Sequence, residues 1–286
     1  TDINDRQVNV FWPNDDKFTV ELGQSTQTAG QVAFLSLELA TKAAQNKTID
    51  VLLTAPINKA NIQQNDFKFP GHTEYFQSTF EAPEAFMMLC QDNLRVVLAS
   101  GHLALDAVPK QITEERLVHL VENIHKTLKT DFRITTPKIA VLGLNPHNGD
   151  NGLLGKEEQD IIIPALEKMQ AAGHLALGPF AADGFFGSKS FLQYDVVLAM
   201  YHDQGLAPFK ALAFDGGVNF TAGLPIVRTS PAHGTGYDIA GKNKASSKPF
   251  LEALFFGIDV WKTRREYEEA SAYGFKISPN KSSEKS

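Results

Sequence analysis

Three histidines stand where short apolar runs stop. The runs at 95–101, 138–146 and 195–201 end on His102, His147 and His202. A neutral imidazole is the commonest metal-ligand side chain, and three of them with a fourth position open is a catalytic rather than a structural pattern. A divalent ion held there lowers the pKa of a bound hydroxyl and stabilises charge on a ketone or enolate oxygen. Two chemistries follow. Hydrolysis needs a carboxylate base, for which Asp203 and Asp183 are the candidates. Oxidation needs a hydride acceptor from outside the chain, because no side chain accepts hydride.

Other residues are suited to an anion. Pro70-Gly71-His72-Thr73-Glu74 places a glycine, an imidazole and a hydroxyl before a predicted helix start, where backbone N–H groups favour negative charge. Lys210, Asn219 and Arg228 follow His202 in loops punctuated by glycine and proline. Lysine and arginine neutralise phosphate or carboxylate, and asparagine fixes a hydroxyl or amine. The segment from Pro231 to Lys242 is glycine-rich but lacks the Gly-x-Gly-x-x-Gly spacing of a Rossmann fingerprint, so its spacing alone assigns nothing.

These residues need strands and helices to bring them together. The three histidine-bearing runs and a fourth at 49–56 are continuously apolar and rich in Val, Ile and Leu, the mark of strands covered on both faces, as in a parallel sheet flanked by helices. Helices are predicted where Val32, Leu35 and Leu39, and then Leu117, Leu120, Val121, Ile124 and Leu128, recur at spacings of three and four. A helix follows Gly155, acidic at its start and closed by Lys168 and Gly173, with a kink at Pro164. A last helix starts at Ser247-Lys248-Pro249 and runs through Leu251, Leu254, Phe255 and Trp261; the tail 278–286 is expected to fray. The fold class is therefore α/β. Ligands in such sheets bind beyond the carboxyl ends of the strands, where the three histidines stand.

A chain of 286 residues divides readily into two domains with a cleft between them. A net charge of −6 offers no footprint for nucleic acid or an anionic membrane. No apolar run is long enough to span a bilayer and no leader pattern opens the chain, so a cytoplasmic protein is expected. The single cysteine, Cys90, fits a reducing compartment and reads as a small buried hydrophobe.

The loop His233-Gly234-Thr235-Gly236-Tyr237-Asp238-Ile239-Ala240-Gly241-Lys242 resembles the adenine-binding loop of the isocitrate and isopropylmalate dehydrogenase superfamily. With Ala55-Pro56-Ile57-Asn58-Lys59, Pro70-Gly71-His72-Thr73-Glu74, Asn145-Pro146-His147, Tyr201-His202-Asp203-Gln204-Gly205-Leu206 and Gly223-Leu224-Pro225-Ile226-Val227-Arg228-Thr229-Ser230, the chain is similar to the 4-hydroxythreonine-4-phosphate dehydrogenases from about Thr54 to Ala245. The resemblance implies two α/β/α domains with a cleft between them. It places residues 1–80 with 206–286 in a discontinuous domain carrying the NAD loop, and 81–205 in a middle domain carrying metal ligands and dimer contacts. It implies one divalent ion per site (zinc, cobalt, magnesium or manganese) on His102, His147 and His202, with ligands shared across a homodimer interface. Substrate contacts come from His72, Thr73, Lys210, Asn219 and Arg228, and NAD contacts from His233, Gly234, Thr235, Asp238 and Ile239. Lys210 is the candidate catalytic base.

The reaction so implied is NAD-dependent oxidation of a small phosphorylated hydroxy amino acid, followed by decarboxylation, in pyridoxal 5′-phosphate biosynthesis. Rival readings are a dehydrogenase of the same family acting on 4-phospho-threonate, 4-phospho-erythronate or an aromatic dihydrodiol, an acyltransferase of the phosphate acetyltransferase type, and a non-catalytic metabolite-binding protein. Two departures stand out. The Gly-Asp-Pro-Ala-Gly-Ile-Gly-Pro-Glu segment usual in the family is not in this sequence, and Asp183 is followed by Gly184 where a serine or threonine is common.

Overall fold

The computed structural model describes residues 6–11, 19–63, 67–213 and 216–272, so the tail at 278–286 lies outside the described residues. Its strands are β1 Val51–Leu53, β2 Phe86–Gln91, β3 Leu94–Leu98, β4 Lys138–Leu142, β5 Leu175–Phe180, β6 Val196–Ala199, β7 Val218–Ala222 and β8 Val227–Pro231. Its α-helices are α1 Gln27–Gln45, α2 Lys59–Ile62, α3 His72–Thr79, α4 Val108–Gln111, α5 Glu114–Phe132, α6 Ile163–Ala171, α7 Ala182–Gly187, α8 His202–Leu212 and α9 Lys248–Ala272.

All eight strands join one sheet in the order β1-β8-β7-β2-β3-β6-β4-β5. The class is α/β, as expected, but the sheet is mixed rather than parallel. β3, β6, β4 and β5 run parallel, and so do β8 and β1, whereas β2 is antiparallel to both β3 and β7, and β7 is antiparallel to β8. The cause is a tight hairpin: Gln91 pairs with Leu94 across Asp92-Asn93, and Asp92 takes positive φ, which a two-residue turn of the favoured hand requires. β2 to β6 come from residues 81–205 and β1, β7 and β8 from outside that range; the two sets meet at the β2–β7 ladder.

Helices cover both faces. On one face α5, α6 and α9 pack on β2, β3, β4, β6 and β7 through Leu117, Leu120, Ile124, Leu128, Leu166 and Val260. On the other, α7 and α8 cover the β3–β6–β4 half, and α1 to α3 cover the β1–β8 half. The α5 stripe is buried as its periodicity predicts, and Thr113 caps it by accepting from the Arg116 N–H. The stripe predicted for α1 is only half-buried. Gly30, Leu37, Thr41 and Ala44 face inward instead, because at Gly30 the helix presses on the Asn61 backbone so closely that a Cβ would collide with its carbonyl oxygen. α9 likewise buries Ala253, Gly257 and Val260 and leaves Leu251 and Phe255 exposed, since Gly257 brings it against Val51 and Thr229. Cys90 is buried, its thiol pushed up to about 12 by burial.

Candidate active site

β3, β6 and β4 are neighbours and parallel, so the backbone leaves all three at one edge of the sheet and delivers His102, His202 and His147 there. His102 and His202 meet, with ring centroids 5.2 Å apart. His202 opens α8, and its Nδ1 donates to the Asp203 carboxylate at 2.7 Å, which leaves Nε2 as the free lone pair. Burial first, then the charges of Lys59 and His202, hold His102 below its ordinary pKa against the opposing pull of Glu74, so its neutral, ligating form dominates near pH 7. His147 does not join them: among the described residues no three His, Cys, Asp or Glu side chains form a metal-binding group. Two imidazoles of one chain thus fit a divalent ion as part of a set that needs further ligands.

The loop carrying His147 has unusual geometry. His147, Asn148, Gly149, Asp150 and Asn151 are all left-handed, with φ between 43° and 76°. Left-handed helical backbone costs about 1–2 kcal/mol per residue bearing a Cβ, and Asn, Asp and Gly tolerate it best, which is why Asn148-Gly149-Asp150-Asn151 can form this turn.

On the second face of the sheet lies a buried guanidinium. Arg228 projects from β8, is 2 % exposed, and has no acidic partner among the described residues. It donates from Nη1 to Thr221 Oγ1 (2.9 Å) on β7, and from Nη2 to Thr54 Oγ1 (2.6 Å) just after β1 and to His72 Nδ1 (3.0 Å) at the start of α3. Its Nε has no partner. The Phe76 ring lies 5.6 Å beneath the guanidinium and stacks on His72. Because Nδ1 accepts from Arg228, His72 carries its proton on Nε2. Burial, then Arg228 and Lys59, push its pKa down to about 3, so it is a neutral donor at physiological pH. Burial also lowers Arg228, to about 9.

An unpaired buried cation beside a neutral N–H donor is costly unless an anion completes it. Asn219 lies on the same face of β7 as Thr221, two residues away, and its Oδ1 is buried without a partner. Thr73 follows His72 at the α3 N-terminus, where Gly71 is the N-cap. Lys59 and Glu74 both approach Gly71, and the Lys59 charge acts on His72 and on His102, so it links the arginine site to the imidazole pair. Thr54, Lys59, Glu74 and Thr221 were not singled out from sequence. Lys59 and Glu74 lie in motifs that carry the family resemblance, but no spacing assigns them, or the two threonines, to a site.

A concavity of about 600 Å³ lies at the other end of α8, lined by Phe209, Lys210, Gly216, Ala232, His233 and Lys248 among others. Lys210 follows His202 by eight residues, about 12 Å along the helix axis, so the structure groups it with His233 and not with the imidazole pair. Gly234 and Thr235 are exposed, His233 Nδ1 bonds the Gly234 carbonyl, and Asp238 and Ile239 lie in a 3-10 turn at 237–239. Asp183 lies in the first turn of α7, which has no side-chain cap.

Comparison with known proteins bears on this arrangement. The family model described as "Pyridoxal phosphate biosynthetic protein PdxA" matches residues 2–256. A 4-hydroxythreonine-4-phosphate dehydrogenase of Bacteroides thetaiotaomicron is 49% identical over 265 residues, 92% of this chain and 73% of the relative. A D-threonate 4-phosphate dehydrogenase of Cupriavidus necator is 42% identical, covering 85% of this chain and 73% of its own. The crystal structure of 4-hydroxythreonine-4-phosphate dehydrogenase from Klebsiella pneumoniae superposes with a TM-score of 0.73 at 36% identity, covering 84% of this chain and 73% of that one. The chain belongs to the PdxA family of pyridoxal phosphate biosynthetic dehydrogenases.

Proposed function

We propose that this chain oxidises 4-phosphooxy-L-threonine at its C3 hydroxyl with NAD, and that the resulting 3-keto acid loses carbon dioxide to give 3-amino-2-oxopropyl phosphate. The observation that carries this reading is Arg228: a buried cation without a carboxylate, oriented by two threonines and a neutral imidazole, and linked through the Lys59 charge to the imidazole pair at the strand ends. A doubly charged phosphate ester with a carboxylate fits such a site, and Lys59 adds a second positive charge.

Bound there, a divalent ion would supply Lewis acidity to the substrate oxygen, and NAD would accept the hydride. His102 and His202 would hold the ion, with His147 as the third ligand. Arg228, His72 and Thr73 bind and orient the anionic ends, and Asn219 accepts from the substrate amine. Lys210, on the wall shared with His233 and about 12 Å along α8 from His202, is the lysine that the family resemblance offers as the base for the hydroxyl proton. His233, Gly234, Thr235, Asp238 and Ile239 form the nucleotide side.

The working unit is a cytoplasmic homodimer with sites at the subunit interface. Exposed leucines flank both histidine loops, Leu103 and Leu105 beside His102 and Leu153 and Leu154 after His147, and an apolar rim of this kind is what a second subunit covers. The D-threonate 4-phosphate dehydrogenase among the relatives supports a second reading, in which a hydroxyl replaces the substrate amine. Incubation of metal-replete protein with NAD and 4-phosphooxy-L-threonine tests the first: one carbon dioxide and one amino ketone phosphate per NADH formed is the expected result, and NADH without carbon dioxide sinks the decarboxylating step.

A further inference from the structure

The five-residue left-handed turn at His147 is a conformation that persists only where its surroundings over-determine it. The group that does so here is Glu158. It opens a π-helical turn at 158–162 that runs into α6, and it is 1 % exposed. Its Oε1 accepts from the backbone N–H groups of Leu144 and Asn145, both at 2.7 Å, and its Oε2 accepts from Asn145 Nδ2 at 2.9 Å. Leu144 and Asn145 are the residues through which β4 passes into Pro146-His147. The same carboxylate touches the middle of the turn. A Cβ on Gly149 would lie 2.8 Å from Oε2, and one on Gly143 would lie 3.1 Å from Oε1. No lysine or arginine pairs with Glu158 among the described residues, so its buried charge is balanced by these N–H donors.

A second side chain ties the same loop to its neighbour strand. Gln204 accepts from the Met200 N–H at 2.7 Å and donates to the Gly143 carbonyl at 2.6 Å, joining the exit of β6, which leads to His202, to the exit of β4. Asn148 Nδ2 donates to the Pro179 carbonyl at 2.9 Å and holds the far side of the turn.

We propose that Glu158 is the positioning residue of the site, its carboxylate holding the left-handed turn from which His147 is presented to the ion. This rests on the reading of His147 as a ligand of the divalent ion. Glu158 touches neither substrate nor ion and acts through the backbone of 144–149.

The test uses metal-free protein titrated with Co²⁺, with amide hydrogen exchange measured over the same samples. E158Q is nearly isosteric but lacks the charge, and G149A presses a methyl group on the Gly155 carbonyl oxygen and on the same carboxylate from the other side. The expected result is Co²⁺ binding weakened about 10- to 100-fold in both variants. A changed visible absorption band should accompany it, with faster exchange confined to 144–152. Co²⁺ affinity and band unchanged in E158Q would overturn the proposal while leaving the metal reading intact. Faster exchange across the whole protein in both variants would also overturn it, because Glu158 would then be a stability residue only. Wild-type protein that binds no Co²⁺ would remove the reading on which the proposal rests.

Discussion

Arg228 is the residue on which most converges, and its surroundings make two predictions. Replacing it with methionine keeps the stem and removes the charge-assisted hydrogen bonds, each worth about 1.5–3 kcal/mol, so kcat/KM should fall at least ~100-fold with most of the loss in KM. Steady-state kinetics on a folded R228M protein checks this, and an unchanged KM would place the substrate anion elsewhere. His72 yields a pH prediction. Its pKa is about 3 in the folded protein against 6.5 for an ordinary histidine. Between those values the unfolded chain binds the extra proton and the folded one does not, so the stability from a neutral His72 is complete above about pH 6.5 and is lost as pH falls toward 3. Thermal unfolding at pH 7 and pH 5 should therefore show a smaller drop in Tm for H72Q than for wild type. At this scale the sequence was legible where chemistry has a type signature: histidines at strand ends, and an arginine and asparagine carried by the family resemblance. Thr54 and Thr221 were not, because a threonine in or beside a strand is ordinary until the fold shows that both hydroxyls face one guanidinium.

Among the elements, all three long helices were readable as helices, but only α5 showed its buried face, for one physical reason. α5 buries large side chains at spacings of three and four, so its pattern names its face. α1 and α9 approach their neighbours through Gly30 and Gly257, and a face built on glycine and alanine leaves its leucines and phenylalanines half-buried or exposed. The antiparallel β2 was missed because a continuous apolar run does not carry direction; the signal was Asp92-Asn93 between two runs. α5 and α9 are joined by a salt bridge in which Arg264 donates to both Asp131 oxygens at 2.8 and 2.9 Å, with Asp131 3 % exposed and Arg264 16 %. Removing one partner leaves the other charge buried, a loss of about 3–5 kcal/mol. Urea unfolding of D131A should show that loss, and a change under 1 kcal/mol would mean that water already reaches Arg264.

For the whole molecule, one chain brings together two of the three histidines, and the third lies on an exposed turn with apolar neighbours. If a second subunit completes the set, H147A and H202A, each inactive alone, should regain activity when unfolded and refolded together. Half of the resulting dimers would be mixed and half of their sites intact, giving about a quarter of wild-type activity. Recovery of none would place all three ligands in one chain. The family's chemistry is legible in this molecule, but the choice between an amine and a hydroxyl on the substrate rests on one or two polar contacts, with the unpartnered Asn219 Oδ1 the group best suited to make that choice. The most direct test compares kcat/KM for NADH formation from 4-phosphooxy-L-threonine and from D-threonate 4-phosphate, with metal-replete wild-type protein. The expected result is preference for the amino acid by at least ~10-fold, reduced in N219A. Preference for the threonate phosphate, or no hydride transfer from either, would contradict it.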